Sequence, residues 1–176
     1  MRGVTRVGHN LWIAVLVLVA AFVSPTLARD LPGERESLVG LEGVYVLVEE
    51  MSSREEQAGL ARSTLQTDVE VKLRQTGIRV LTETEGLVAP GSPFLHLHVK
   101  TVGLGEERLF YGIVIRLQLV QAVVLARNRT IGLHAPTWES SGVGVTGAKL
   151  LYRMRENVRD QVDEFINAYL AANPKR

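Results

Sequence analysis

Beyond residue 28 the longest apolar run is YGIVIRLQLVQAVVLAR, residues 111–127. Its odd positions Ile113, Ile115, Leu117 and Leu119 are uniformly apolar, while Arg116 and Gln118 share the other parity, the period of two that marks a strand. Six of the thirteen residues from 113 to 125 are Val or Ile, and β-branched side chains favour pleated backbone. A helix would point Arg116 almost opposite Gln118 and Gln121, leaving no single polar face. Extended over its whole length the run would reach roughly 55 Å, beyond the ~40 Å diameter of a domain this size. It must therefore bend, bulge or project, and Gln121, which breaks the odd-parity apolar series, predicts a bulge near Gln121 or Ala122.

The remaining periodicities supply partners and cover for this strand. Residues 43–49, GVYVLVE, are continuously apolar and read as an interior strand buried on both faces. Ser53-Arg54-Glu55-Glu56 has the form of a capping box, opening a short turn that Gly59 ends. Leu65, Val69 and Leu73 recur every fourth residue and predict a helix over 61–76, with Gly77 at the left-handed position beyond it. Residues 78–81 then form a second strand, parallel to the first through a right-handed crossover. Gly86, Pro90, Gly91 and Pro93 make 83–93 a loop. From Phe94 a third strand alternates Leu95, Leu97 and Val99 with His96, His98 and Lys100, and 103–107 turns it into the long strand. Asn128-Arg129-Thr130 reverses the chain into a fifth strand over 131–145, in which Pro136 marks either an edge position or a break. Asn128 also opens an N-glycosylation acceptor pattern, meaningful only in a eukaryotic secretory pathway. Leu151, Met154, Val158, Val162, Phe165 and Tyr169, widened by Ile166, predict a closing helix over 148–172 that Asn173-Pro174 ends. Its upper half is basic through Arg153, Arg155 and Arg159, with Arg159 four residues from Asp163 and so placed to pair with it.

The order β-α-β-β-β-β-α predicts an α+β fold: a two-layer, mixed, mostly antiparallel sheet of about five strands with two helices on one face. The other face is left for solvent or a partner. The expected domain spans 43–172, preceded by a flexible segment over 29–42 and followed by a tail over 173–176.

Residues 1–28 change the picture of where the chain works. Arg2 and Arg6, thirteen uncharged residues over 11–23 and the small residues around Thr26-Leu27-Ala28 read as a secretory signal peptide cut after Ala28. The apolar stretch is shorter than the ~20 residues a spanning helix needs, and Pro25 interrupts it. The expected location is periplasmic or secreted, without stable membrane insertion. Without Arg2 and Arg6 the chain carries eighteen basic against nineteen acidic residues, so it has no electrostatic footprint for nucleic acid. It contains no cysteine, which excludes disulfides, thiolate metal sites and a thiol nucleophile.

His96 and His98, two apart on a strand, project from one face as zinc-binding imidazole pairs do, and His134 on the fifth strand is the candidate third ligand. They support the alternative of a small metal-dependent hydrolase. Gly142-Val143-Gly144-Val145-Thr146-Gly147 matches the dinucleotide fingerprint in letters but lacks the strand before it and the strand after its helix, and reads as a glycine-rich strand end. Ser140 and Ser141 do not lie in a nucleophile elbow. The pairs Glu49-Glu50 and Glu55-Glu56 point apart along their elements and read as solvated charge. Trp138 reads as core or edge cover. No catalytic residue and no cofactor emerge.

By element order, with GVYVLVEE, LRQTGIRVL and the closing helix as its markers, residues 43–170 resemble the small envelope α+β domains of the TolB amino-terminal and CsgG type. The resemblance carries no catalytic or binding residue. The favoured reading is an exported, non-enzymatic binding or accessory module of the cell envelope, engaging a protein partner or a second copy. It would act through an open sheet face bearing Val114, Val120, Ala122 and Val124 or through a strand edge.

Overall fold

The computed structural model describes residues 25–26, 32–107 and 109–174. The expected leader lies outside the described residues apart from its positions 25 and 26. Strands β1 (Pro25–Thr26), β2 (Val44–Val48), β3 (Val80–Leu81), β4 (Phe94–Leu104), β5 (Phe110–Leu125) and β6 (Asn128–Gly147) form one sheet in the order β1-β6-β5-β4-β2-β3. β2 is parallel to β3 and β4, and the other pairs are antiparallel. Helices α1 (Pro32–Glu36), α2 (Ser53–Gln57), α3 (Arg62–Gln75), α4 (Glu83–Val88) and α5 (Met154–Ala172) complete the fold, with a 3-10 turn at Ala148–Arg153 leading into α5. The chain is a two-layer α+β protein, and each of the five expected strands is present.

One sheet face forms the core. Val44, Val46 and Val48 of β2, Leu95, Leu97 and Val99 of β4, and Tyr111, Ile113, Ile115, Leu117 and Leu119 of β5 are all buried there. Leu65, Val69 and Leu73 of α3 and Val158, Val162 and Phe165 of α5 close over them, as the four-residue repeats require. Trp138 packs edge-on against Phe165 with ring centroids 5.2 Å apart. The two helices are also tied by charge, but not as their spacing suggested. Asp68 of α3 receives a bidentate pair of bonds from Arg155, at 2.9 Å from Nε and from Nη2, and Lys72 takes Asp163 at 2.6 Å. Arg159 therefore leans toward Asp68, 3.9 Å away, instead of pairing with Asp163.

Several local expectations are corrected. Residues 32–42 are not a loose terminus: α1 docks on β6 through Ser37, whose Oγ donates to the Thr137 carbonyl at 3.1 Å, and Leu38 and Leu41 enter the core. The capping box lies one residue earlier than expected, Ser52 with Glu55, because Glu55 turns inward to accept from the Thr101 amide and hydroxyl at 3.0 and 2.9 Å. Part of the expected loop 83–93 is α4, opened by a second capping box, Thr82 with Glu85. This helix lies over Tyr45 on the reverse face, so that face is not bare throughout. A Cβ at Gly86 would stand 2.9 Å from the Tyr45 Cβ, which is why glycine sits at the contact. β2 consequently alternates, its even positions buried and Tyr45 and Leu47 only partly covered, instead of being buried on both faces.

The long strand both slips and projects. Register shifts between Leu119 and Val120, where Thr137 of β6 is the extra residue, so the irregularity falls just ahead of Gln121 and on the partner strand. A second shift follows Val124. The chain reverses at Ala126 and Arg127, two residues earlier than expected, and Asn128 Oδ1 instead accepts from the Thr130 amide and hydroxyl. Beyond Gln121 the β5–β6 ribbon leaves the body as an exposed arm.

Candidate binding face

Strand register lays out the face opposite α3 and α5 as rows of side chains. Tyr45, Phe94, Val120 and Pro136 form the row nearest the arm, followed by Leu47, His96, Gln118 and Glu139, then His98, Arg116 and Ser141. Lys100, Val114 and Val143 come next, then Val102, Gly112 and Val145, then Leu104, Phe110 and Gly147. The face is polar at its middle and apolar toward both ends.

Glu49 organises the polar middle. It follows β2 directly, its amide donating to the Leu97 carbonyl at 3.1 Å, so its side chain falls beside the histidines of β4. One carboxylate oxygen lies 2.7 Å from His98 Nδ1 and 3.5 Å from Lys100 Nζ, and the other lies 3.3 Å from His96 Nε2. The His98 hydrogen bond holds the Glu49 carboxyl below its usual range despite partial burial. Burial pushes the His96 imidazole down, outweighing the pull of Glu49 toward the charged form. On the next strands Gln118 Nε2 donates to Glu139 at 2.6 Å, and Arg116 Nε stands 3.5 Å from the same carboxylate. The reading of Glu49 as plain solvated charge is therefore replaced by a carboxylate shared between two imidazoles and the Lys100 ammonium. Its parity with Tyr45 and Leu47 was visible in the sequence; the pairing of β2 with β4 was not.

The three histidines do not converge. His134 stacks near Phe94, ring centroids 6.2 Å apart, and Phe94 in turn separates it from His96, whose centroid lies 6.3 Å away on the same ring. Glu49 directs its two oxygens at two different imidazoles, so the donors face the carboxylate and not a common point. Among the described residues no group of three or more His, Cys, Asp or Glu is arranged to hold a metal ion. Lys100 and, opposite His98, Arg116 add two cations where a divalent ion would have to sit.

The other candidates resolve as structure. Residues 142–147 are β6 itself, laddered onto β5, so this glycine-rich backbone does not form a phosphate-binding loop. Ser140 is buried and donates to Glu164 at 2.5 Å, joining β6 to α5. Trp138 is core.

Of Val114, Val120, Ala122 and Val124, expected to carry the apolar surface, Ala122 and Val124 lie exposed on the arm and Val114 is half-buried. Val120 is buried in its row with Phe94 and Pro136. At the end away from the arm the exposed apolar side chains of this face are Val102 and Val143, 64% and 67% accessible, with Leu104, Phe110 and Val145. They surround Gly112, over which Leu104 leans, 3.9 Å from where a Cβ would stand. Their outer boundary is the edge of β6, where the only partner among the described residues is the two-residue β1, opposite Ser141 and Gly142. At the opposite end a cleft of about 410 Å³ lies beneath α4, lined by Tyr45, Leu47, Leu87, Phe94 and His134.

No family model matches the chain, and no curated protein is detectably similar to it.

Proposed function

We propose that this protein is a non-enzymatic binding module of the cell envelope, exported by its leader, that engages a protein partner or a second copy of itself. The engaged surface is the apolar end of the open sheet face together with the adjoining β6 edge. The observation that supports this reading is the cluster of Val102, Leu104, Phe110, Val143 and Val145, exposed together on one face by strand register. Scattered exposed apolar residues are ordinary, but a contiguous set beside an uncharged strand edge marks an interaction surface. Beyond the pairing of β1 with Ser141 and Gly142, residues 143–148, VGVTGA, contain no charge and no proline, so this part of the edge lacks the features that usually prevent strand addition.

The test is photo-crosslinking from position 143 in the producing cell, paired with light scattering of the purified protein. Crosslinks from Val143 but not from Val71, an exposed valine on α3, are expected, and Val143→Asp combined with Val102→Asp should abolish them. A strictly monomeric protein with no crosslink specific to 143 would sink the proposal. The alternative, a small metal-dependent hydrolase centred on His96 and His98, would need ligands converging on one ion, whereas the two imidazoles are directed at different oxygens of Glu49.

A further inference from the structure

The cleft of about 410 Å³ beneath α4 is walled by Tyr45 and Leu47 of β2, Phe94 of β4, Leu87 of α4 and His134 of the arm. Its size falls within the roughly 300–1,000 Å³ of small-molecule sites. The helix that roofs it is fixed at three points. Gly86 brings α4 against Tyr45, the Thr82–Glu85 capping box closes its first turn, and Ser92 Oγ donates to the Leu87 carbonyl at 3.1 Å at its far end. The Phe94 ring lies 6.2 Å from that of His134, centroid to centroid, so aromatic side chains line the cleft from β2 across β4 to the arm.

Glu83 of α4 is the one Asp, Glu, Lys or Arg in this lining. Its carboxylate makes no hydrogen bond or ion pair among the described residues, whereas Glu85 on the same helix is taken by Thr82 and Arg79. The neighbouring cations are held elsewhere: Arg79 stands beside Glu85, Lys100 beside Glu49 and Arg116 beside Glu139. Arg129 lies five residues from His134, roughly 16 Å along an extended strand, and Arg127 lies farther still.

We infer that this cleft binds a small organic cation with an apolar body, its charged nitrogen seated against the rings of Tyr45 and Phe94 and beside the Glu83 carboxylate. Aromatic rings attract cations through their quadrupole, Glu83 supplies the countercharge, and Leu47 and Leu87 take the apolar remainder. An anion would meet Glu83 with no Lys or Arg in the lining. An uncharged ligand would draw nothing from that carboxylate.

The test is an NMR titration of the purified protein with 3-hydroxyphenyltrimethylammonium and, separately, with its uncharged isostere 3-tert-butylphenol. Saturable amide shifts are expected at Tyr45, Leu47, Leu87 and Phe94 and not at Val102 or Val143, with the cation bound at least about fivefold more tightly than the isostere. Glu83 is exposed, so Glu83→Gln leaves the fold intact; it should remove most of that preference by weakening the cation alone. Tyr45→Leu should weaken the cation more than the isostere. Equal affinity for the two probes, shifts centred outside the cleft, no saturable shift, or a preference unchanged in Glu83→Gln would overturn the inference. Because Val102 and Val143 lie at the other end of the face, failure here leaves the proposed partner surface untouched.

Discussion

Glu49 draws His96, His98 and Lys100 around one carboxylate, and the protonation of Glu49 and of His96 responds to these neighbours. Removing it as Glu49→Gln takes away the pull that favours the charged His96, so the His96 pKa should fall further; a rise in an NMR titration would contradict the assignment. The pH dependence of stability follows the same groups. His96 is depressed below its ordinary value of 6.5, so its contribution is fully present above that value and is lost as pH falls through the folded-state pKa. Glu49 is depressed below 4.5, so its contribution is present above 4.5 and disappears at still lower pH. Chemical denaturation across pH 4 to 7 should show stability falling on the acid side, and His96→Gln should flatten the upper part of that fall. Residue identities on this face were legible: the parity of His96, His98, Arg116 and Gln118 is written in the alternation of β4 and β5. What they touch was not, because Glu49 and Glu139 arrive from strands distant in sequence.

Elements were read most securely where a stripe meets a core. Leu65, Val69 and Leu73, and the series from Leu151 to Tyr169, are repeated contacts with one surface, and repetition is what periodicity detects. Helix α4 escaped because six residues are too few for a stripe, and Gly86 resembled loop punctuation. Its signal was the capping box Thr82-Glu83-Thr84-Glu85, and the reason for Gly86 is tertiary, the approach of Tyr45. Gly86→Ala should push α4 off β2 and cost about 1 to 3 kcal/mol in urea unfolding, as overpacking does. No loss would mean that α4 does not bear on the sheet. The displaced capping box of α2 has a similar origin. Ser52 and Ser53 both suit the motif, and the choice was made by Glu55, which is buried where it caps the Thr101 end of β4.

At the scale of the whole molecule, core and arm should respond differently to change. Phe165 is fully buried against Trp138, so Phe165→Asp places an unpaired carboxylate in the core and should leave the protein unfolded at room temperature by circular dichroism. Replacing residues 123–133 by a two-residue turn should move the melting temperature by no more than about 4 °C, since those side chains take no part in the core. A larger drop would show the arm to be structural. The sequence of the five main strands and two long helices, strand parity, the helical stripes and the over-long central strand were legible in the sequence alone, because each is a local pattern repeated along a continuous run. Tertiary structure decided the rest: that the surplus length becomes a projecting arm, that α4 shields one corner of the reverse face, and that Glu49 and not His134 completes the histidine cluster. Those outcomes depend on which strands lie side by side, and adjacency is fixed only when burial of one apolar face brings distant segments together.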